Sequence, residues 1–299
     1  MTAIFKLPDG SSVGTGLLMP TPEIIEESVK APMYSENKFL DPKDIEKALK
    51  GDKYLTFRRM RQKLITNQGG LGQCNASATV AAFHNRRQLD GMAEVPLSSN
   101  HLYMNINGGQ DGGSQLLDGL KYTAAKGVSP VQVRVNGSIV NFPTNVYDRR
   151  QVNQPLLKAA DAAALTYQSF EAFRVPADSY ANFRIAIASA LAWDQQVIIA
   201  LNVGQPFMNL RGGYIQQSPG AGNHALLAHS AKWVGGEDLV HADIQNSWGP
   251  CTNPLLGRTG GEGWGEGGFG LITMSSLWQC AKYHVFWVLP GTRLNPGAR

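Results

Sequence analysis

Apolar and polar residues recur with different periods in successive parts of the chain. The residues Cys74 to Gln88 and Ser114 to Lys126 follow a helical pattern, and Gly127 is suited to end the second helix. A further helix is predicted from about Ser179 to Trp193, where apolar residues repeat every three to four positions. Strand-like apolar runs then follow at Val197 to Val203, His224 to Ser230, Leu239 to Asn246, Phe269 to Thr273 and Tyr283 to Leu289.

The first 53 residues have a different pattern, with frequent prolines and one convincing helix from Asp41 to Lys50. Asp41 is suited to cap that helix, and Pro42 is suited to its first turn. The sequence therefore predicts an N-terminal arm over residues 1–53, a helix-rich part over residues 54–150, and a mainly strand-forming part over residues 151–299.

Composition and charge narrow the class of protein only slightly. The chain has 299 residues, of which 43% are hydrophobic and 17% charged, as in an ordinary soluble globular protein. Its 27 basic and 23 acidic residues do not indicate a nucleic-acid-binding protein. Charged and polar residues from Asp194 onward interrupt the longest apolar run, so no membrane span is predicted.

The N-terminal residues lack the basic start, apolar stretch and cleavage site of a secretory signal. We therefore expect a cytoplasmic protein, or one held within a bacterial or viral assembly. Three cysteines cannot all pair within one chain, so a disulfide scaffold is excluded, although a bridge between Cys251 and Cys280 stays open.

Cys74 follows a loop with glycines at 69, 70 and 72 and begins a predicted helix. The free N–H groups and the positive dipole end of a helix N-terminus favour a thiolate, which is the nucleophilic form of cysteine. The alternative is that Cys74 packs as a small apolar side chain, which is the usual state of a lone cysteine.

His224 is the best candidate for a base because it begins an apolar strand, from which a ring can project into a cleft. His229 lies five residues further on and should face the opposite side of the strand. His84 lies about 15 Å along the helix from Cys74 at 1.5 Å per residue, so it is not the base and we expect it at the surface. The remaining histidines are expected to be structural or exposed: His101, His241 and His284. A purely structural role stays open for His224 as well.

Asn246 is the candidate partner of His224. Apolar and polar residues alternate from Leu239 to Gln245, which predicts a half-buried strand with Asn246 at the end of its apolar face. A carboxamide there can accept the imidazole N–H and fix the ring orientation, and Trp248 can shield that bond from water. The alternative is an asparagine that simply ends a strand in a turn.

Four segments in this order resemble the papain-like cysteine peptidases. They are the residues from Gln68 to Ala78, with a glutamine six residues before the cysteine, the run from Asn223 to Leu227, the tetrapeptide Asn246 to Gly249, and the run from Gly263 to Gly270. The separation of Cys74 from His224 also suits this family.

The resemblance implies an α+β, two-lobed fold in which a helical lobe, residues 54–150, and an antiparallel β-barrel-like lobe, residues 151–299, flank the active-site cleft. Cys74 would attack a peptide carbonyl of a peptide or protein substrate, and His224 would form the ion pair and protonate the leaving amine. Asn246 would orient His224, while Gln68 and the Cys74 N–H would stabilise the oxyanion. No cofactor and no metal ion are implied.

The resemblance also suggests substrate-binding residues. Gly112 and Gly113, which follow Asp111, resemble the family segment that offers its backbone to an extended substrate, and Trp248 lies beside the site. The run Asn107-Gly108-Gly109 competes for the same alignment, and a flexible turn is the alternative for both.

Some positions depart from the family pattern. Asn75 stands where an aromatic residue usually follows the nucleophile, Gln73 replaces a small residue, and the usual helical-lobe disulfides are absent, which fits a reducing compartment. The arm, residues 1–53, is shorter than the usual inhibitory prosegment. It is interpreted either as a short propeptide lying in the cleft or as an arm that binds a partner.

Two alternatives to a working peptidase follow. One is a weak or inactive papain-like domain that serves as a structural or binding component of a larger bacterial or viral assembly. The basic residues Arg58, Arg59, Arg61 and Lys63 would then form an interface, although a solvated face is the simpler interpretation. The other is a cell-wall-type amidase that uses Cys and His, which Gln68, Asn246 and Trp248 disfavour.

Overall fold

A computed structural model describes residues 2–7, 9–165, 172–216, 220–250, 256 and 263–289. Its α-helices are α1 (Pro22–Lys30), α2 (Pro42–Leu49), α3 (Lys53–Arg61), α4 (Cys74–Leu89), α5 (Ser99–Ile106), α6 (Leu116–Lys126), α7 (Gln154–Ala162), α8 (Tyr180–Ala192), α9 (Gln205–Met208) and α10 (Met274–Ala281). Its strands are β1 (Ile4–Lys6), β2 (Ser12–Gly14), β3 (Gln132–Val135), β4 (Ser138–Asn141), β5 (Phe173–Arg174), β6 (Gln196–Leu201), β7 (His224–Gly235), β8 (Leu239–Gln245), β9 (Phe269–Thr273) and β10 (Trp287–Leu289).

The helices begin and end where local chemistry favours it. The side chain of Ser179 accepts a hydrogen bond from the Asn182 N–H at the start of α8. Gly127 ends α6 with a φ of +78°, a conformation that glycine adopts without steric cost. Both helices lie within one or two residues of the predicted bounds, and none of the helices in the described ranges is long and apolar enough to cross a membrane.

The strands of the second half form a 6-stranded antiparallel sheet in the order β5-β10-β6-β7-β8-β9 within the described residues. Strand β6 is buried along its whole length and packs against α4 and α8. Strands β6 to β10 overlap the predicted strand-like runs, whereas α7 and α10 were not predicted in this part of the chain. The predicted strand from Tyr283 is shorter than expected, because α10 reaches Ala281 and only Trp287–Leu289 pairs with β6.

The N-terminal arm is built into the rest of the fold. Strands β1 and β2 form a hairpin, and residues Leu7, Val13 and Leu17 belong to the main hydrophobic core. Further along, Tyr34 donates its backbone N–H to the carbonyl of Arg174 in β5, and α2 packs against α8 and β7. The arm also contains α1, which was not predicted, although Thr21 caps it and Pro22 begins it.

A buried ionic cluster corrects two predictions. Arg58 and Arg61 lie neither on a solvated face nor at a free interface, because both are buried, at 7% and 1% exposure. Arg58 donates to both carboxylate oxygens of Asp243, and one Arg61 N–H group lies 2.6 Å from the Nδ1 of His229. Strand β8 is therefore buried on its polar face too, and the predicted half-buried strand was wrong on this point.

Candidate active site

His224 and Asn246 lie side by side because β7 begins at His224 and β8 ends at Gln245, directly before Asn246. The two strands pair in antiparallel fashion, with Leu227 opposite Gln245. The Nε2 atom of His224 lies 2.9 Å from the Oδ1 atom of Asn246, so the predicted hydrogen bond is present. The Nδ1 atom of His224 is buried and has no hydrogen-bond partner among the residues that the structure describes.

Aromatic rings enclose His224. The Trp248 ring stacks on the imidazole at a centroid separation of 4.3 Å, and the edge of Phe207 approaches at 6.2 Å. Phe207 in turn stacks on Trp264 at 4.9 Å. Burial lowers the pKa of His224 to about 4, although the hydrogen bond to Asn246 opposes this shift. His224 is therefore neutral at pH 7 in this conformation.

Cys74 is the first residue of α4, as predicted, and it is fully buried. Burial raises the pKa of its thiol to about 11, while nearby backbone groups of Ala225, Gly16 and the first residues of α4 act in the opposite direction. The helix N-terminus thus favours the thiolate, as expected, but exclusion of water outweighs it. Cys74 lies close to the backbone of the residue after His224, yet no hydrogen bond joins the thiol to the imidazole.

Gln68 is fixed by its neighbours with its amide group directed at the arm. The hydroxyl of Ser247 donates to the Oε1 atom of Gln68, and the Gln68 N–H donates to the Ser247 carbonyl at 3.0 Å. The Nε2 atom of Gln68 then donates to the carbonyl of Gly14 at 2.9 Å and to that of Leu71 at 2.8 Å. The indole N–H of Trp248 also donates to the Gly14 carbonyl, at 3.3 Å.

The arm crosses the candidate site as an extended segment. The Ser114 N–H donates to the Gly16 carbonyl at 2.9 Å, and the Leu18 N–H donates to the Ser114 carbonyl at 3.1 Å. The Leu17 N–H donates to the carbonyl of Asn223, directly before His224, at 3.1 Å. The arm therefore contacts Gln68, Trp248, Ser114 and Asn223, and the backbone of Gly16 lies beside the buried Cys74 thiol.

Of the predicted substrate-binding glycines, Gly113 lies against the arm. A Cβ atom on Gly113 would lie 1.9 Å from the Gly16 carbonyl oxygen, whereas Gly112 has open space at its Cβ position. The competing Gly108 and Gly109 also have no neighbour within 4 Å at their Cβ positions. The structure thus brings Gly113, rather than the 107–109 segment, against the arm, and its role in substrate binding stays a prediction.

Asn75, which departs from the family pattern, joins α4 to the segment after Gly113. Its Nδ2 atom donates to the Ser114 hydroxyl at 3.1 Å and to the Gln115 carbonyl at 2.5 Å. Asn75 therefore links α4 to Ser114, the residue that pairs with the arm.

His84 and His229 have partners outside this group of residues. The prediction of a surface position for His84 was wrong: it is buried, and its Nε2 atom accepts the Leu97 N–H at 2.7 Å because the chain after α4 folds back over it. Burial lowers the pKa of both His84 and His229 to about 4. His229 faces the buried ionic cluster, on the opposite side of β7 from His224, as predicted.

Some residues of the site were not predicted from the sequence. Gly14 and Gly16 occupy the site, Ser114 pairs with the arm, and Ser247 orients Gln68. The alternating glycines in Val13-Gly14-Thr15-Gly16 were the available signal, because glycine at alternate positions of an extended segment indicates a close approach to another backbone.

No group of three His, Cys, Asp or Glu side chains suited to a metal ion is found within the described part of the chain. The bridge between Cys251 and Cys280, which the sequence leaves open, lies outside the described residues because Cys251 is not among them.

The chain is similar in fold to solved cysteine proteases. Procathepsin L 3 from the larval midgut of Tenebrio molitor matches with a TM-score of 0.54 and 16% identity, over 76% of this chain and 66% of that one. Xylellain, a cysteine protease from Xylella fastidiosa, matches with a TM-score of 0.50 and 20% identity, over 77% and 83% of the two chains. The Carica candamarcensis cysteine protease CMS1MS2, solved in complex with E-64, matches with a TM-score of 0.50 and 23% identity, over 76% and 92%.

The sequence matches no protein-family model and no curated protein. The structural likenesses show an α+β, papain-like fold, which confirms the fold expected from the sequence. At these identities they show the fold alone.

Proposed function

We propose that this papain-like chain is a cysteine peptidase that is latent in the conformation described. The observation that carries the proposal is the His224–Asn246 hydrogen bond at 2.9 Å, covered by Trp248, next to a cysteine at the start of a helix. The other ring nitrogen of His224, Nδ1, has no hydrogen-bond partner within the described residues. That nitrogen, Nδ1, is the atom available to a thiol.

The catalytic steps assigned to these residues begin once the arm leaves and water enters. Hydration removes the main cause of the raised thiol pKa and the lowered imidazole pKa, so the proton of Cys74 passes to the Nδ1 atom of His224. The thiolate then attacks a peptide carbonyl carbon, and the tetrahedral oxyanion accepts hydrogen bonds from the Gln68 Nε2 and the Cys74 N–H.

Collapse of the tetrahedral intermediate breaks the C–N bond, and the His224 imidazolium gives its proton to the leaving amine. Water, deprotonated by the neutral imidazole, then attacks the thioester and releases the acid product with Cys74 regenerated. Asn246 keeps the ring oriented throughout by accepting from Nε2.

The arm supports the latent state in this proposal. The Gly14 carbonyl accepts from the Gln68 Nε2, which is the donor assigned to the oxyanion, so the arm and a reacting carbonyl compete for the same group. We interpret residues 1–53 as a short inhibitory segment.

One observation favours a second candidate function, that of a structural or binding component of a larger assembly. Cys74 is fully buried, and the arm that covers it contributes to the main hydrophobic core. An arm that never leaves would make the domain inactive, and the chain would then act through its outer surface.

The experiment that distinguishes the two candidate functions cuts the chain within the arm. A recognition site for a specific protease is inserted between Met19 and Pro20, next to the exposed side chain of Met19, and the same site is inserted between the exposed Asn136 and Gly137 of the β3–β4 turn as a control. Both proteins are cut, shown to be folded by circular dichroism, and treated with an epoxysuccinyl thiol inhibitor.

If the chain is a peptidase, we expect the inhibitor to label Cys74 and peptides to be hydrolysed after the arm is cut. We expect both labelling and hydrolysis to be lost in Cys74→Ala. Hydrolysis by His224→Ala equal to that of the unsubstituted cut protein would exclude the assigned base. A folded, arm-cut protein that is neither labelled nor active would favour the structural candidate.

A further inference from the structure

We infer that the cleft next to Cys74 is a glycine-selective slot, which binds extended polypeptide segments with the pattern Gly-x-Gly. This inference rests on the proposed function for its catalytic meaning, but the binding itself does not require catalysis. The segment Gly14-Thr15-Gly16 of the arm occupies the slot in the structure, so the bound pattern can be read directly from its contacts.

The slot has no room for a side chain at either glycine. A Cβ atom on Gly14 would lie 2.5 Å from the Gly70 carbonyl oxygen and 2.7 Å from that of Leu71. A Cβ atom on Gly16 would lie 2.0 Å from the Gly72 carbonyl oxygen and 2.4 Å from the Gly72 Cα. These obstacles are backbone atoms, which cannot turn aside as the end of a flexible side chain can.

The opposite wall is also backbone. Gly113 lies against the Gly16 carbonyl, and Ser114 forms hydrogen bonds to the residues on either side of Leu17. The segment is thus held between Gly72 and Gly113 by contacts that include main-chain donors and acceptors, namely the Ser114 N–H and C=O and the Asn223 carbonyl. Main-chain hydrogen bonds of this kind recognise an extended backbone, and the narrow walls limit the size of the side chains that can bind.

The residue between the two glycines, Thr15, carries a side chain that fits on the hairpin side of the segment. Its N–H and its hydroxyl both donate to the Ala3 carbonyl, at 2.9 Å and 3.5 Å, and the residue is buried. The middle position therefore accommodates a side chain of this size, in contrast to the two glycine positions.

Tyr103 and Asp111 hold the two walls together. The Asp111 Oδ1 atom accepts the Gly72 N–H at 2.8 Å and the Tyr103 hydroxyl at 2.7 Å. The Tyr103 oxygen in turn accepts the Gly113 N–H at 3.1 Å. This chain of hydrogen bonds links Gly72 to Gly113 through Asp111 and Tyr103. Tyr103 and Asp111 are therefore positioning residues that fix the width of the slot.

The test measures binding without turnover. The full chain carrying Gly16→Ala, which displaces the arm, and Cys74→Ala, which prevents cleavage, is titrated with a fluorescent eight-residue peptide of the sequence Ser11 to Leu18. A second peptide has alanine at both glycine positions, and a control peptide has alanine in place of Ser12, whose hydroxyl contacts Lys6 outside the slot.

We expect the double-alanine peptide to bind on the order of 100-fold more weakly than the glycine peptide, because each added methyl group overpacks a rigid site. The Ser12 control should bind like the glycine peptide. Equal affinity for the glycine peptide and the double-alanine peptide overturns the inference. The inference is also overturned if the arm with Gly16→Ala still occupies the cleft and prevents both peptides from binding. Failure of the glycine peptide to bind an open cleft also overturns it.

A second pair of variants tests the positioning residues. Tyr103→Phe removes the hydroxyl that links the walls and should reduce the ratio of glycine to alanine binding, whereas Tyr122→Phe in the same part of the fold should leave that ratio unchanged. A ratio unaffected by Tyr103→Phe would show that these hydrogen bonds do not set the width of the slot. Since all proteins here carry Cys74→Ala, loss of peptidase activity and loss of glycine selectivity are measured separately.

Discussion

The substitution Gly16→Ala should release the arm from the cleft and expose Cys74. The added methyl group would lie 2.0 Å from the Gly72 carbonyl oxygen, closer than any unstrained contact allows. This methyl group displaces residues 16–18 from the closed arm, which then lacks the hydrogen bonds from Ser114 to Gly16, from Leu17 to Asn223 and from Leu18 to Ser114. At about 1 kcal/mol for each net hydrogen bond, the closed state loses about 3 kcal/mol.

A change of about 3 kcal/mol shifts the ratio of closed to open protein by on the order of 100-fold. We therefore expect the second-order rate of labelling of Cys74 by an epoxysuccinyl inhibitor to rise by a similar factor, provided that the arm opens and closes faster than the inhibitor reacts. The rate is measured by intact-protein mass spectrometry at several inhibitor concentrations, and the labelled peptide is then sequenced.

The matched control is Ala3→Val, which also enlarges a side chain of the arm but at an exposed position. It should label at the wild-type rate, and a protein with both Gly16→Ala and Cys74→Ala should not label. If folded Gly16→Ala labels no faster than wild type, the reasoning that backbone packing at Gly16 closes the cleft is refuted.

Three further predictions concern the catalytic geometry and the buried charges. In the arm-cut protein, Asn246→Ala should lower kcat on the order of 100-fold with a smaller change in KM, because His224 loses its orientation, while the exposed control Asn141→Ala should leave both unchanged. Burial lowers the pKa of His84, His224 and His229 to about 4, from 6.5 for an exposed histidine, so the unfolded state binds more protons than the folded state below pH 6.5. The free energy of unfolding, measured in urea, should therefore fall between pH 6.5 and 4 by up to about 1.4 kcal/mol per pH unit for each histidine. A slope of unfolding free energy against pH that is unchanged in His84→Gln would contradict this assignment. Arg58→Met should destabilise the fold by about 3 to 5 kcal/mol because it leaves the buried Asp243 carboxylate without its main partner, and Arg59→Met, at an exposed position of the same helix, should have little effect.

The sequence predicted those parts of the site that depend on neighbours along one element. Cys74 begins a helix because glycines precede it and small residues follow it, and Asn246 reaches His224 because the turn at Gly235 and Gly236 pairs their strands. The papain-like fold was predicted because the four segments that resemble the family occur in the expected order.

The parts that were missed depend on contacts between distant segments. The burial of His84 results from the return of the chain at Leu97, and the burial of Arg58 results from its pairing with Asp243 across the sequence. Periodicity within one helix or strand contains no information on such partners, so these charged and polar residues appeared to be exposed.

A position in the cleft was one of two interpretations of the arm, but its contacts were not predicted, for the same reason. Its prolines indicated an irregular segment, but only the structure shows that Gly14 and Gly16 approach the backbone of residues 70–72. Burial also changes the protonation states expected from the sequence, since it outweighs the helix N-terminus at Cys74 and lowers the pKa of the His224 imidazole.

The measurement that tests the proposed peptidase most directly is the detection of an acyl group on Cys74 during turnover. The arm-cut protein is mixed with a peptide ester, quenched in acid within milliseconds to seconds, and analysed by intact mass and peptide mapping. We expect a transient mass increase equal to the acyl part of the substrate, located on Cys74 and absent in Cys74→Ala. Turnover without an adduct on Cys74, or a folded and open protein with neither adduct nor turnover, would contradict it.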